Sequence, residues 1–516
     1  MQTFPWWTER QKELIVEVEE FADEHFAAAE KYTWKKEIPW SILKAIAEKG
    51  WFGAMISEEY GGCKEELGCT GCCIINEGIS RLGTLCFIYG ETFFGGAHQL
   101  EKFGTEEQKR RWLPDIASGK KFGAICITEP FVGSDAAGVK TEARREGDEY
   151  VITGKKRFTT GLGISDIYML YAKTSDDPAD RAANRHLTGF IVEKGMPGFT
   201  VEKLNELCGL DGIYNGYLNL DEVRVPVENR LGNEGDGWNI MLAGLNLERT
   251  ITSAQTLGGM REAIRFALFH SRRRVQFDRP TISFQINQFK IADMIMRLNN
   301  ARLLTYYAAY LIDRGEGGIV GPAIEATCAK LYNALECVKT ADDAMQIMGG
   351  DGYSRFYPVE LGYRNAKMAH IGAGTNEVMR MILYRLGVRL MESEFRPPIR
   401  IIDNEIGVAL DHLSTKLELE KEKISEKSVL RVLAEDYRAN PGLYMAREDL
   451  LQRLEGTEEE LDEVLLKLEE KKLVALNRDR RGVIALAKAT YWGLKEANPP
   501  EYYRWYPTWA KMEELF

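Results

Sequence analysis

The residue with the most specific chemistry is Glu248, in the run Gly244-Leu-Asn-Leu-Glu-Arg249. On a helical period it shares a face with Gly244, Leu245 and Thr252, a surface small and apolar enough to turn inward. A solitary carboxylate in such surroundings has its pKa raised by desolvation, which suits it to take a proton near neutral pH. The competing reading is a buried glutamate paired with Arg249 or another cation. Two further segments invite chemistry. Thr128 to Asp135, rich in Pro, Gly, Ser and Asp, is either a plain turn or a turn shaped for a ligand. Arg272 to Arg274 closes a helical stretch, where a solvated basic run is ordinary, yet a single guanidinium there could also fork onto phosphate oxygens.

Cys69-Thr-Gly-Cys72 has the spacing of a metal knuckle, but no second pair or histidine cluster lies nearby, so no metal is expected and the thiols are expected to be packed. The nine cysteines are odd in number and no signal peptide precedes them, which fits reduced thiols rather than a disulfide framework. No Gly-x-Gly-x-x-Gly joins a strand to a helix, so a Rossmann dinucleotide site is not expected. The start lacks a basic region followed by an apolar stretch, and no run of about 18 apolar residues occurs later; a cytoplasmic protein without membrane insertion is expected. A net charge of -11 argues against a generic polyanion binder.

A chain of 516 residues is long enough for several cores, and the elements that must hold Glu248 divide accordingly. An α+β multidomain architecture is expected. Residues 1–121 read as an N-terminal helical domain, from the three-and-four spacing of apolar residues after Glu9. Residues 122–236 turn to short β-rich runs separated by Gly, Pro and Asp, a middle antiparallel β domain. Residues 237–393 return to helical periodicity, interrupted at Gly315 to Gly318 and Gly349 to Gly352, and are expected to form a four-helix bundle. Residues 394–516 begin with a proline-containing linker, Glu394-Phe-Arg-Pro-Pro-Ile-Arg. Helical Ser428 to Tyr437, Arg447 to Leu454 and Thr457 to Lys471 follow, then two apolar runs around the turn at Asn477 to Gly482, the order of a winged helix. Its third helix starts Thr457-Glu-Glu-Glu, which phosphates would repel, so protein contact is expected there rather than nucleic acid, although Arg478, Arg480 and Arg481 make the hairpin basic. The aromatic tail Tyr502-Tyr-Arg-Trp-Tyr-Pro-Thr-Trp509 suits docking on a surface.

Four segments taken together are specific: Cys126-Ile-Thr-Glu-Pro-Phe-Val-Gly-Ser-Asp135, Gly154-Lys-Lys-Arg-Phe-Thr-Thr160, Arg274-Val-Gln-Phe277 with Phe284-Gln285, and Gln346-Ile-Met-Gly-Gly-Asp-Gly352. With Phe103-Gly-Thr-Glu-Glu-Gln-Lys109 and Val223-Arg-Val-Pro226, they make residues 8 to 390 resemble the acyl-CoA dehydrogenase family. The resemblance implies bound FAD, with Ile125, Ile127, Thr128, Phe158 and Thr160 beside the flavin ring and Ser134 meeting flavin or thioester. It implies that Arg274, Phe277 and Gln346 reach the FAD of a neighbouring subunit, hence an obligate homo-oligomer, a tetramer or dimer. Thr375 and Glu377 match flavin-adenine contact positions, and Glu91 the far end of the acyl pocket, although an outward-facing Glu91 is equally compatible with the sequence. Arg249 is counted with the substrate contacts.

Relatives abstract the α-proton of an acyl-CoA with a carboxylate while the β-hydrogen leaves as hydride to the flavin. The commonest placement of that base, in Tyr-Glu-Gly-Thr, is filled here by Ala373 of Gly372-Ala-Gly-Thr375. A subset that includes the isovaleryl-CoA dehydrogenases carries the base in Leu-Glu-Arg instead, and this chain has Leu247-Glu248-Arg249. The resemblance therefore makes Glu248 the base, with the Ala373 backbone N-H stabilising the enolate together with the ribityl 2'-hydroxyl. Where relatives commonly read Gly-x-Arg-x-Ser-x-Thr, Gly209-Leu-Asp-Gly-Ile-Tyr-Asn215 departs, leaving branched, medium, aromatic and alicyclic acyl groups open. Electron-transferring flavoprotein is the implied acceptor. A catalytically silent flavoprotein and an oxygen-using oxidase are the alternatives, separated by bleaching of the flavin with acyl-CoA and by its reoxidation in oxygen.

Overall fold

The computed structural model describes residues 3–394, 421–439, 444–479 and 481–497. The chain divides into two compact units, Met1–Met391 and Glu392–Phe516.

The larger unit opens with α1 (Glu9–Lys35), α2 (Trp40–Glu48), α3 (Gly68–Ile79), α4 (Leu85–Thr92), α5 (His98–Phe103) and α6 (Glu106–Ala117). Reciprocal capping boxes, Thr8 with Gln11 and Thr105 with Gln108, fix where α1 and α6 begin. Every residue of α3 is buried, including Cys69, Cys72 and Cys73. Asp313 accepts from the Cys69 and Thr70 amides and from the Thr70 hydroxyl, satisfying donors at that helix start. Between α4 and α5 the chain widens over Phe93–Ala97. A Cβ at Gly95 would lie 2.6 Å from the Ala124 carbonyl carbon, so only glycine lets this turn sit against the first strand.

That strand is β1 (Gly123–Cys126), followed by β2 (Glu142–Glu146), β3 (Glu149–Thr160), β4 (Ile167–Lys173), the short α7 (Pro178–Ala182), β5 (Leu187–Glu193), β6 (Phe199–Leu204), β7 (Asn215–Pro226) and β8 (Arg230–Leu231). They form one sheet in the order β6-β7-β3-β2-β4-β5-β8, with β1 beside β4. The expected antiparallel domain is corrected in part: β1 runs parallel to β4, from Gly123 opposite Ile167 to Cys126 opposite Leu170, and β2 meets β4 in parallel at Glu142 opposite Lys173. The chain between β1 and β4 makes the β2-β3 hairpin before returning, which is a long enough connection for parallel pairing.

Helix α8 (Gly237–Arg273) begins the second helical layer. A two-stranded hairpin of β9 (Val275–Gln276) and β10 (Arg279–Pro280) leads to α9 (Gln285–Asp313), α10 (Ala323–Met348), α11 (Gly350–Tyr353), α12 (Val359–Met368) and α13 (Asn376–Glu394). The long helices α8, α9 and α10 pack pairwise, and α12 rests on α10 and α8. The interruptions after α9 and α10 fall at the glycine-rich stretches.

The second unit holds β11 (Glu422–Lys423), α14 (Glu426–Ala439), β12 (Met445–Ala446), α15 (Arg447–Arg453), β13 (Leu454–Glu455), α16 (Glu458–Glu470), β14 (Val474–Arg478), β15 (Ile484–Ala489) and α17 (Tyr491–Ala497). Strands β12, β15 and β14 make a three-stranded antiparallel sheet in that order. Val429, Leu433, Leu450, Leu461, Leu465 and Ala487 build its core. Residues 395–400 of the expected linker, Arg480 and the aromatic tail lie outside the described residues. No described helix is long and apolar enough to cross a membrane.

Candidate active site

Glu248 projects from the middle of α8, half-buried between a fully buried Leu247 and a buried Arg249. Gly244, one turn earlier, is needed because a Cβ there would lie 2.3 Å from the Gln99 amide nitrogen. Burial lifts the Glu248 carboxyl to about 7, against the opposing pull of Arg249 and then Lys330. No hydrogen bond or ion pair engages this carboxylate among the described residues, so the alternative of a salt-bridged structural glutamate does not describe it. Arg249 turns aside instead, giving Nη1 to Asn246 Oδ1 at 2.7 Å and Nε to Ala373 O at 3.3 Å.

Ala373 sits in the turn between α12 and α13, buried, with φ 55. A non-glycine residue in the left-handed region costs about 1 kcal/mol and persists only where its surroundings impose it. Here the Ala373 carbonyl is held by Arg249 and the Gly374 carbonyl by Lys330, while the Ala373 N-H donates to no described group. Thr375 caps α13 by accepting from the Val378 amide at 3.3 Å.

Glu91 of α4 completes the cluster. It is 6% exposed, which decides against an outward orientation. One of its oxygens accepts the Ile125 N-H at 2.8 Å, tying α4 to β1. Burial, and then the neighbouring Glu248 charge, push its carboxyl well above the usual carboxylate range and so favour its neutral form.

Along β1 and the chain after it, Ala124 and Cys126 are buried while Ile125, Ile127 and Thr128 are half-buried, as alternation on a strand requires. Across from them, a bulge in the β3-β7 pairing between Arg157 and Thr159 gives Phe158 φ 59 and turns its ring out of the sheet, 4.3 Å beneath the Arg157 guanidinium. Thr160 Oγ1 accepts from Asn215 at 3.1 Å, and Ser134 lies exposed on the turn after β1. A half-buried apolar row flanked by Thr and Ser hydroxyls fits a flat ring system with polar edges, the chemistry of the flavin of FAD. Below it the Lys156 ammonium and Glu129 carboxylate pair at 2.8 Å and lock the strand ends together.

Arg274, Phe277 and Gln346 are not brought to this cluster. All three are exposed; Phe277 is 89% exposed, on the tip of the β9-β10 hairpin, with φ 52. Glu377 is exposed at the start of α13. Sequence reasoning missed Lys330 and Asn376. Lys330 had a signal, since it occupies the apolar stripe of α10 with Ala326, Ala334 and Cys337, where a charged residue calls for an explanation.

Comparison with known proteins bears on this geometry. Residues 8–120, 124–223 and 235–387 match the models described as acyl-CoA dehydrogenase N-terminal, middle and C-terminal domains. The chain is 39% identical over 388 residues to an acyl-CoA dehydrogenase of Bacillus subtilis (strain 168), covering 74% of this chain and 99% of that protein. Among solved structures, butyryl-CoA dehydrogenase from Megasphaera elsdenii superposes with TM-score 0.71 at 32% identity, over 75% of this chain and 100% of the other. A chain from the structure described as electron transferring flavoprotein of Acidaminococcus fermentans also gives TM-score 0.71, at 33% identity and with the same coverage. Helical, sheet and helical domains matched in this order, with relatives of this identity and coverage, define a flavin-dependent dehydrogenase. The chain belongs to the acyl-CoA dehydrogenase family.

Proposed function

We propose that the chain oxidises the α,β bond of an acyl-CoA thioester to the 2-enoyl-CoA with FAD as cofactor, and that Glu248 is its base. The observation that carries this reading is the unpaired Glu248 carboxylate, held near 7, on the same turn of helix as the Arg249 that grips Ala373, whose N-H has no acceptor among the described residues. Ile125, Ile127, Thr128, Ser134, Phe158 and Thr160 would hold FAD, which supplies the acceptor for the hydride. Glu248 Oε takes the α-proton. The Ala373 N-H donates to the thioester carbonyl oxygen, where negative charge grows as the proton leaves. Arg249 orients that donor through the Ala373 carbonyl. Glu91, whose burial favours the neutral acid, closes the acyl side of the site.

The reading extends to assembly. The exposed Phe277 and Arg274 and the position of Gln346 suit contact with the cofactor of a second copy, which supports a homo-oligomer, a tetramer or dimer. Thr375 and Glu377 are assigned to the adenine side. Electron-transferring flavoprotein is the proposed acceptor and the cytoplasm the proposed location. The order of helix, strand, two helices and hairpin in the second unit supports a winged helix. Its charges favour a protein partner: α16 starts Glu458, Glu459, Glu460, while Arg447 is taken by Glu458 and Asp462, and Arg478 by Glu469.

The test is anaerobic bleaching of the bound flavin by a panel of acyl-CoA esters. Glu248→Gln should bleach at least about a thousandfold more slowly with the best ester, in line with the loss of a general base and its positioning. Full-rate bleaching in that variant would remove Glu248 as the base, and no bleaching by any ester in the unaltered protein would remove the enzyme reading.

A further inference from the structure

Lys330 is a buried cation that the reaction as described does not use. It is 2% exposed on α10, and no carboxylate lies within ion-pair distance of it among the described residues. Its Nζ donates to Gly374 O and stands 3.5 Å from Asn376 Oδ1. Arg249, 4% exposed on α8, grips the preceding carbonyl, Ala373 O. Two buried cations, from two helices, thus hold consecutive carbonyls of one turn. The two carbonyls flank the Gly374 α-carbon, so holding both rigid peptide planes fixes the Gly374 dihedrals and anchors the turn immediately after Ala373, the residue at φ 55 whose N-H points to no described acceptor.

Such an arrangement is expensive as pure scaffolding. Desolvation pulls the Lys330 ammonium down to about 8, and Arg249 adds to the effect; Glu248 opposes it, followed by Cys337 and Glu377. A methionine or leucine would fill the same space without that cost. The groups facing Glu248 are Arg249 on its own helix, Lys330 on α10, Glu91 on α4 and Tyr171 on β4. Burial favours the neutral forms of Glu91 and Tyr171, and neither is a cation, so Arg249 and Lys330 are the countercharges. Arg249 directs its donors to Asn246 and Ala373. Across the turn, His370 also feels Lys330 and is lowered first by burial.

We propose that Lys330 is a positioning residue for the dehydrogenation, acting twice: its hydrogen bond to Gly374 sets the turn that presents the Ala373 N-H, and its ammonium is the second countercharge of the Glu248 carboxylate. The inference rests on Glu248 being the base. It makes the acid limb of the reaction a property of α10 as well as α8.

Two variants isolate the second action, the charge. Lys330→Gln keeps a donor for the Gly374 carbonyl and removes the charge; Lys330→Arg keeps the charge. In FAD-loaded protein, the acid limb of the bleaching rate should move up by about 1 pH unit in Lys330→Gln and stay in place in Lys330→Arg. With saturating ester at pH 7 the Gln variant should be about fivefold slower, the loss of ionised base that a move of about 1 unit from about 7 gives, with KM changed less than about threefold. Infrared titration of the carboxyl stretch, taken as the difference from Glu248→Gln, should show the same upward move without turnover. An acid limb and a carboxyl titration unmoved in Lys330→Gln overturn the proposal, even if that variant is less heat-stable. Should Lys330→Gln not fold, an acid limb displaced in Lys330→Arg as far as 1 unit overturns it equally. Failure of the base assignment looks different, because Glu248→Gln would then bleach at full rate.

Discussion

At the scale of single residues the site holds two carboxyl groups that burial pushes in the same direction, Glu248 and Glu91. Glu248 is raised to about 7, so the rate of flavin bleaching should rise with pH through about 7 as the carboxylate forms. The same shift has a consequence for stability. A carboxyl whose folded pKa lies above its unfolded value stabilises the fold below the unfolded value, and that contribution is lost as pH rises through the folded value. Glu248→Gln should therefore leave the melting temperature little changed near pH 5 and raise it at pH 8, where about 1 to 3 kcal/mol of charge burial is relieved. Calorimetry at the two pH values checks the crossover, and equal melting temperatures at pH 8 would contradict it. Glu91 calls for the opposite result. Because burial favours its neutral form, Glu91→Gln should keep kcat/KM within about threefold, with the acid limb in place, whereas Glu91→Ala leaves the Ile125 amide without its acceptor and should cost about 1 to 3 kcal/mol of stability.

At the scale of elements, α8 does more than carry Glu248. Thr252, Gln255 and Gly259 lie four, seven and eleven residues beyond Glu248, on one helical face, and all three line a cavity of about 340 Å³ together with Gly83, Phe87 and Met368. Eleven residues of helix advance about 16 Å, the reach of a medium acyl chain. A Cβ at Gly259 would meet nothing within 4 Å, so Gly259→Leu fills space while improving helix propensity. It should slow bleaching by the longest accepted acyl-CoA about tenfold relative to butyryl-CoA, and a chain-length profile identical to that of the unaltered protein would disconnect the cavity from the acyl group.

The helical face of Glu248 was readable from spacing alone, because Gly244, Leu245 and Thr252 repeat at the helical period. The resemblance supplied its pairing with Ala373. Neither route found Lys330 or the Glu91 to Ile125 bond, since both join residues far apart in sequence through a helix packing and a turn, and no local pattern encodes such a meeting. The middle domain shows the same limit. Its strands followed from alternation and turn residues, but the parallel placement of β1 beside β4 depends on the long return of the chain. For the second unit, periodicity indicated the helices and hairpin that are seen, while the expectations for its linker and aromatic tail fall on residues outside those described.

At the scale of the whole molecule, the family match ends at residue 387 and the larger compact unit at Met391. The residues proposed for the site all lie in that unit, and the described residues beyond it carry a separate hydrophobic core. Arg274→Ala should leave the fold and the Glu248 environment intact while the holoprotein releases FAD about tenfold more readily, the loss expected for one forked phosphate contact. Measuring flavin fluorescence after gel filtration reads this directly, and unchanged retention would return Arg274 to the status of a solvated helix end.

The β9-β10 hairpin, with Phe277 at its tip, turns cofactor retention into a question of protein concentration. If each hairpin closes the site of another copy, a copy in isolation holds its cofactor with fewer contacts than the same copy in company. Dilution alone would then strip the flavin, with no change in sequence, pH or salt, and adding flavin-free protein would slow its departure. A half-time for flavin loss that is constant over a hundredfold range of protein concentration would mean that each copy keeps its own.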